Sequence, residues 1–108
     1  MKDVDMHLTD DEIESIVKAG TRHVFRSAPM GRAWDTFHVN GKYYEIIDVS
    51  ERSADTIARV YYRLENFNSP EDFIRVWKEG HSGRWEPKRM LYIHWFRDIT
   101  GSPGNDLI

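Results

Sequence analysis

The sequence predicts an α+β domain built on a small, mainly antiparallel sheet that closes towards a barrel, and three observations carry that expectation. Asn40-Gly41 sits between two apolar arms, 34–39 and 42–49, and this dipeptide favours a type I′ hairpin turn because both positions tolerate positive φ. The stretch 69–80 carries helix signals at both ends. Finally, 89–97 alternates Leu91, Ile93 and Trp95 against Met90, Tyr92, His94 and Phe96, so both of its faces are largely apolar, as in a central strand.

Length and composition bound the rest. A chain of 108 residues fits one core, so 1–100 is expected as a single domain and 101–108, rich in Gly, Ser and Pro, as a flexible tail. The absence of Cys excludes disulfides, thiolate chemistry and Cys-based zinc sites. No apolar run approaches a membrane span, and the acidic N-terminal segment lacks a signal-peptide pattern, so a cytoplasmic protein with no membrane association is expected. Nothing in the composition calls for a partner subunit, and a monomer is expected. The net charge of −3 hides an asymmetry: 21–97 holds 13 Lys and Arg against 10 Asp and Glu, whereas the flanks hold 2 against 8. A mildly basic body is compatible with a local anion site, but it is weaker than the face of a dedicated nucleic-acid binder, and a solvated mixed surface explains it equally.

In chain order, Thr9-Asp10-Asp11-Glu12 is a capping box, with Leu8 placed to staple onto Ile13, and Gly20 ends the helix. The acidic residues at its start complement the helix dipole and need no metal. Next, 21–27 reads as a strand with Arg22, Val24 and Arg26 on one face and His23 and Phe25 on the other. Two guanidinium groups aimed the same way form either a clamp for phosphate or a base edge, or simply a pair of surface arginines. The loop 28–32, which ends at Arg32, is poor in polar turn residues and is expected to pack at the same opening. The hairpin follows; its adjacent Ile46 and Ile47 imply burial on both faces.

Ser53 starts a second helix, continued at helical spacing by Ile57, Val60 or Tyr61, and Leu64. The turn Leu64-Glu65-Asn66-Phe67 then sets one carboxylate between apolar side chains, where a charge is either paired or functional. Ser69 caps the third helix, Pro70 occupies its first turn, Glu71 and Asp72 complement its dipole, and Gly80 is expected as a left-handed stop.

No phosphate-cradling glycine loop, HExxH or Gly-x-Ser-x-Gly occurs, and the five histidines (His7, His23, His38, His81, His94) lack metal-ligand spacing, so neither metal nor cofactor is expected. Trp77 and Trp95 read as core. Trp34 and Trp85 lie beside loops, placed either to stack a base or to pack as a lid.

Leu-Glu-Asn-Phe-Asn-Ser-Pro-Glu-Asp-Phe, followed by a Trp-bearing helix and Gly80-His81, resembles the ASCH family, and the resemblance spans roughly 19–97. It implies a PUA-like small β-barrel, mainly antiparallel, with an N-terminal helix and two further helices packed on it. It also implies a cleft at the barrel mouth that holds RNA or a modified nucleoside. The family pattern is a Gly, a Lys two residues on, a Glu or Thr three further, an Arg two beyond, and later a Gly-Asp. With Gly20 as anchor, Arg22 takes the Lys position, Phe25 the Glu or Thr and Ser27 the Arg. Sliding by one keeps Arg26 as the Arg but sets Thr21 and Val24 at the other positions. Trp34-Asp35 stands where Gly-Asp is usual, and Glu65 keeps the carboxylate of the second half.

Two functions follow from the resemblance. In the first, a basic mouth of Arg22, Arg26 and Arg32, with Trp34 as stacking surface and Glu65 as acceptor, binds RNA or a modified nucleoside. In the second, the chain resembles the amidohydrolase branch that deacetylates N4-acetylcytidine with a Lys, a Thr and a Glu. Only Glu65 carries over directly, since Arg stays protonated and cannot act as a base; Lys18 and Thr21 are the remaining candidates for base and nucleophile. Either function expects Glu65 to face the same cleft as Arg22 or Arg26.

Overall fold

The computed structural model describes residues 2–101. Of the expected tail, only Gly101 falls within them; 102–108 lie outside the described residues. The chain divides into two compact units, Met1–Ser50 with Tyr92–Ile108, and Glu51–Leu91.

In the first unit, Thr9 caps helix α1 (Asp10–Val17) with the expected box: Thr9 Oγ1 accepts the Glu12 N–H at 3.2 Å, and Glu12 Oε1 accepts the Thr9 N–H at 3.0 Å. Four strands follow the α1 turn: β1 (His23–Arg26), β2 (Thr36–Val39), β3 (Lys42–Ser53) and β4 (Met90–Asp98). They form one antiparallel sheet in the order β1-β4-β3-β2, curled into a half-barrel. The hairpin turn is as expected, with Asn40 at φ 51° and Gly41 at 77°. The unit packs around three rings: Phe37 lies over Tyr44 at 5.3 Å, and Phe96 meets both edge-on, at 5.0 and 5.5 Å. Met6, Ile16, Val24, Val39 and Ile46 complete this core.

An N-terminal arm ties the two edges of the sheet together. Thr36 on β2 exchanges backbone hydrogen bonds with the arm, donating to Lys2 O and accepting from Val4 N–H, both at 2.7 Å. Two residues further on, Met6 O accepts from Arg26 Nε of β1 at 3.0 Å. Two residues span at most about 7 Å of chain, so both edges reach a very short piece of backbone, and the sheet must curl to allow it.

The second unit holds helix α2 (Ala54–Val60), a 3₁₀ turn (Tyr62–Glu65) and helix α3 (Pro70–Gly80). Ile57 and Ala58 are fully buried. Its rings cluster: Trp77 stacks on His81 at 4.2 Å and meets Trp85 edge-on at 5.7 Å, while Phe73 packs against Phe67, Trp77 and Trp85.

Several local expectations are corrected. Ile47 is 47% exposed whereas Ile46 is fully buried, so β3 is not apolar-covered on both faces there. The second helix stops at Val60, and the reach to Leu64 is made by the 3₁₀ turn. Gly80 stays inside α3; the left-handed residues are Ser82 and Gly83, and the Gly83 N–H caps the Lys78 carbonyl at 2.8 Å. Trp77 and Trp95 are half-buried rather than fully enclosed.

Candidate functional site

The loop 30–35 of the first unit is anchored at several points. Asp35 organises it. Its side chain is 97% withdrawn from solvent, with Oδ1 accepting the Lys2 N–H at 3.0 Å and Oδ2 the Arg32 N–H at 3.1 Å. The Lys2 bond, reinforced by the Arg32 N–H, holds this carboxyl below the usual carboxylate range against the opposing effect of burial. Trp34 N–H donates to Ile46 O, and Asp35 O accepts from Ile46 N–H, both at 2.8 Å. At the other end Met30 N–H donates to Nε2 of His94, a fully buried ring on β4. Between these anchors Gly31 is wedged: a Cβ there would stand 3.0 Å from Ile46 Cδ1 and 3.4 Å from both Asp35 Oδ2 and Val4 Cγ2.

This fixed loop displays two exposed side chains, Arg32 and Trp34. The indole is 61% exposed, and its backbone lies at φ 79°, a left-handed conformation that costs a residue with a Cβ about 1–2 kcal/mol. Such a residue persists because its surroundings over-determine it. An exposed aromatic ring two residues from an exposed arginine, on a loop whose backbone is anchored, suits a planar, electron-rich ligand.

The two arginines, Arg22 just before β1 and Arg26 at its end, are otherwise engaged. Arg26 uses all three guanidinium nitrogens: Nη1 and Nη2 grip the two oxygens of Glu12 at 2.8 and 2.7 Å, Nε bonds Met6 O, and Nη1 also reaches Phe25 O at 2.6 Å. Burial pushes the Glu12 carboxyl up, but the bonds from Arg26 and Thr9 outweigh it and leave it below its ordinary value. Arg22 donates from Nη1 to Ile16 O and Thr21 O, each at 3.0 Å, and lies over the Tyr44 ring at 5.3 Å. Both arginines are half-buried fasteners of α1 and the arm to the sheet. Arg97, on β4, is likewise bound to the buried Glu45 at 2.7 and 2.9 Å.

The residues of the hydrolase alternative are placed as follows. Lys18 caps the end of α1 and is exposed, lining a shallow depression with Asp11, Glu14, Ser15 and Ala19. Thr21 does not line it; its N–H donates to Ser15 O, and its carbonyl accepts from Arg22. Glu65 ends the 3₁₀ turn of the second unit, exposed, with the following Asn66 left-handed at φ 62°.

Among the described residues, no group of three or more His, Asp and Glu is arranged to hold a metal ion, and no helix is long and apolar enough to cross a membrane. Sequence reasoning missed Asp35 and His94 as organisers, and it read Glu12 as a helix cap but not as the partner of Arg26. Asp35 and His94 make their bonds to segments distant in the chain, and no local spacing announces such a bond. Compared with protein-family models, curated proteins and solved structures, the chain gives no significant match.

Proposed function

We propose that the chain is a PUA-like, ASCH-type binding domain for RNA or a modified nucleoside, with Trp34 as its stacking surface and Arg32 as its adjacent cation. The observation that carries this reading is the strained, solvent-facing Trp34 on a loop anchored by Asp35, Ile46 and His94. A lid tryptophan would be covered; this one is the most exposed aromatic residue of the first unit's core-tethered segments. In this reading the half-barrel is the wall of the PUA-like barrel. Arg22 and Arg26 hold that wall together rather than clamp the ligand.

The test is fluorescence anisotropy with a short labelled structured RNA, with free cytidine and N4-acetylcytidine as competitors. Stacking on one aromatic ring is worth about 1–3 kcal/mol, so Trp34→Ala should weaken binding roughly 5- to 150-fold by the same measure. Arg32→Ala should lower the log-log salt slope by roughly 0.7, one phosphate contact of a single strand. Binding that is unchanged in Trp34→Ala overturns the reading.

A further inference from the structure

The sheet order leaves β2 as an edge strand. Thr36 spends its outward N–H and carbonyl on the arm. Outward-pointing residues of an antiparallel strand recur at every second position, so His38, paired with Tyr43 on the inner side, aims its own N–H and carbonyl the same way. Beyond Val4 the arm turns its bonds elsewhere, the Met6 and His7 carbonyls accepting from the Arg26 guanidinium. Among the described residues no backbone bond from the arm closes on His38.

The gap so formed is a groove of about 510 Å³ between the arm and β2. Leu8, Ile13 and Val39 give it an apolar floor, and Asp3, Asp5, His7 and His38 stand exposed along its rim, with the His7 N–H donating to Asp5 Oδ1 at 2.8 Å. Among the described residues no Lys or Arg lines it. Asp3 Oδ2 sits 3.0 Å from His38 Nδ1, so one rim carboxylate stands beside the side chain of the residue at the open stretch of edge.

We propose that this seam takes an extended peptide from a partner protein, one that alternates basic and apolar residues and adds as a strand beside β2. Its backbone pairs with the N–H and carbonyl of His38, while period-two alternation sends apolar side chains to the floor and cations to Asp3 and Asp5. A nucleic acid fits poorly, since the lining offers two carboxylates and neither Lys nor Arg to meet phosphates. A second copy of the chain docked edge to edge would bring two such rims together.

The test is titration of the intact chain with the labelled peptide acetyl-Val-Lys-Val-Lys-Val-Lys-amide. Three comparisons accompany it: the same peptide N-methylated at alternate amides, its Lys-to-Glu counterpart, and the protein variants Asp3→Asn/Asp5→Asn and His38→Pro. Proline at an outward-facing edge position removes the docking donor and spares the β3 ladder, and thermal melting verifies that each variant folds. The expected result is saturable binding that weakens at least tenfold in every comparison. Equal binding of the N-methylated peptide would reduce the contact to charge alone and overturn the proposal, and this arm needs no variant to fold. No saturable binding at millimolar peptide would overturn it too. So would a concentration-dependent dimer, abolished by His38→Pro, that forms without peptide affinity, because the seam would then belong to a second copy.

Discussion

His94 Nε2 accepts the backbone N–H of Met30 at 3.0 Å, which requires that nitrogen to be unprotonated. Burial depresses the ring's affinity for protons, and nearby Arg26 adds to this, against partial relief from the Tyr92 and Val24 backbone. The folded state therefore binds fewer protons than the unfolded state below the ordinary histidine value of about 6.5, and the sign follows: this stability is complete above that value and is lost as pH falls from there through the depressed folded value. Urea unfolding between about pH 5 and 7.5 should show stability rising with pH, and His94→Gln should flatten the rise. An unchanged slope in the variant would remove His94 as its source.

Arg26→Ala strips Glu12 of its partner and Met6 of its donor. Breaking a buried pair by removing one member costs about 3–5 kcal/mol, and the partial exposure of Glu12 lowers this to roughly 2–3. Arg26→Lys should recover little, since an ammonium cannot grip both oxygens. A double-mutant cycle with Glu12→Gln by chemical denaturation checks the coupling; additive effects would show that the two side chains act independently.

Trp34→Gly separates strain from binding. Glycine adopts φ 79° without penalty, so the variant should be as stable as the parent or more stable by up to about 1 kcal/mol, while RNA affinity falls as for Trp34→Ala. Clear destabilisation would mean that the indole packs as a lid.

Phe37→Ala should cost about 3–5 kcal/mol, because Phe37 is 1% exposed and touches both Tyr44 and Phe96. Trp95→Ala should cost less, since that ring is half-buried against His23 at 5.6 Å. Equal losses of melting temperature would abolish this ranking of the core, and a larger loss for Trp95→Ala would invert it.

The parts of the fold that a reader of the sequence recovers are those in which cause and effect lie within a few residues. The Thr9–Glu12 box, the Asn40-Gly41 turn and the Ser69-Pro70 start are of this kind. Arg22 and Arg26 were legible as two guanidinium groups sharing a strand face, but not as fasteners, since their acceptors at Ile16, Met6 and Glu12 come from other elements. Trp34 was legible as a candidate because it adjoins a loop. Its left-handed backbone was not, because nothing in tryptophan's own preferences favours that conformation.

Among the described residues β1 pairs only with β4, the last strand among them, in the register His23↔Trp95 to Arg26↔Tyr92. During synthesis, the chain's first strand must therefore wait for its last, while the β2–β3 hairpin and α3 have all they need locally. Such non-local pairing brings a late loop-closure cost and slow folding for the domain's size. A ribosome-bound chain that lacks β4 would hold Val24 and Phe25 without a neighbouring strand, in the aggregation-prone state that chaperones recognise.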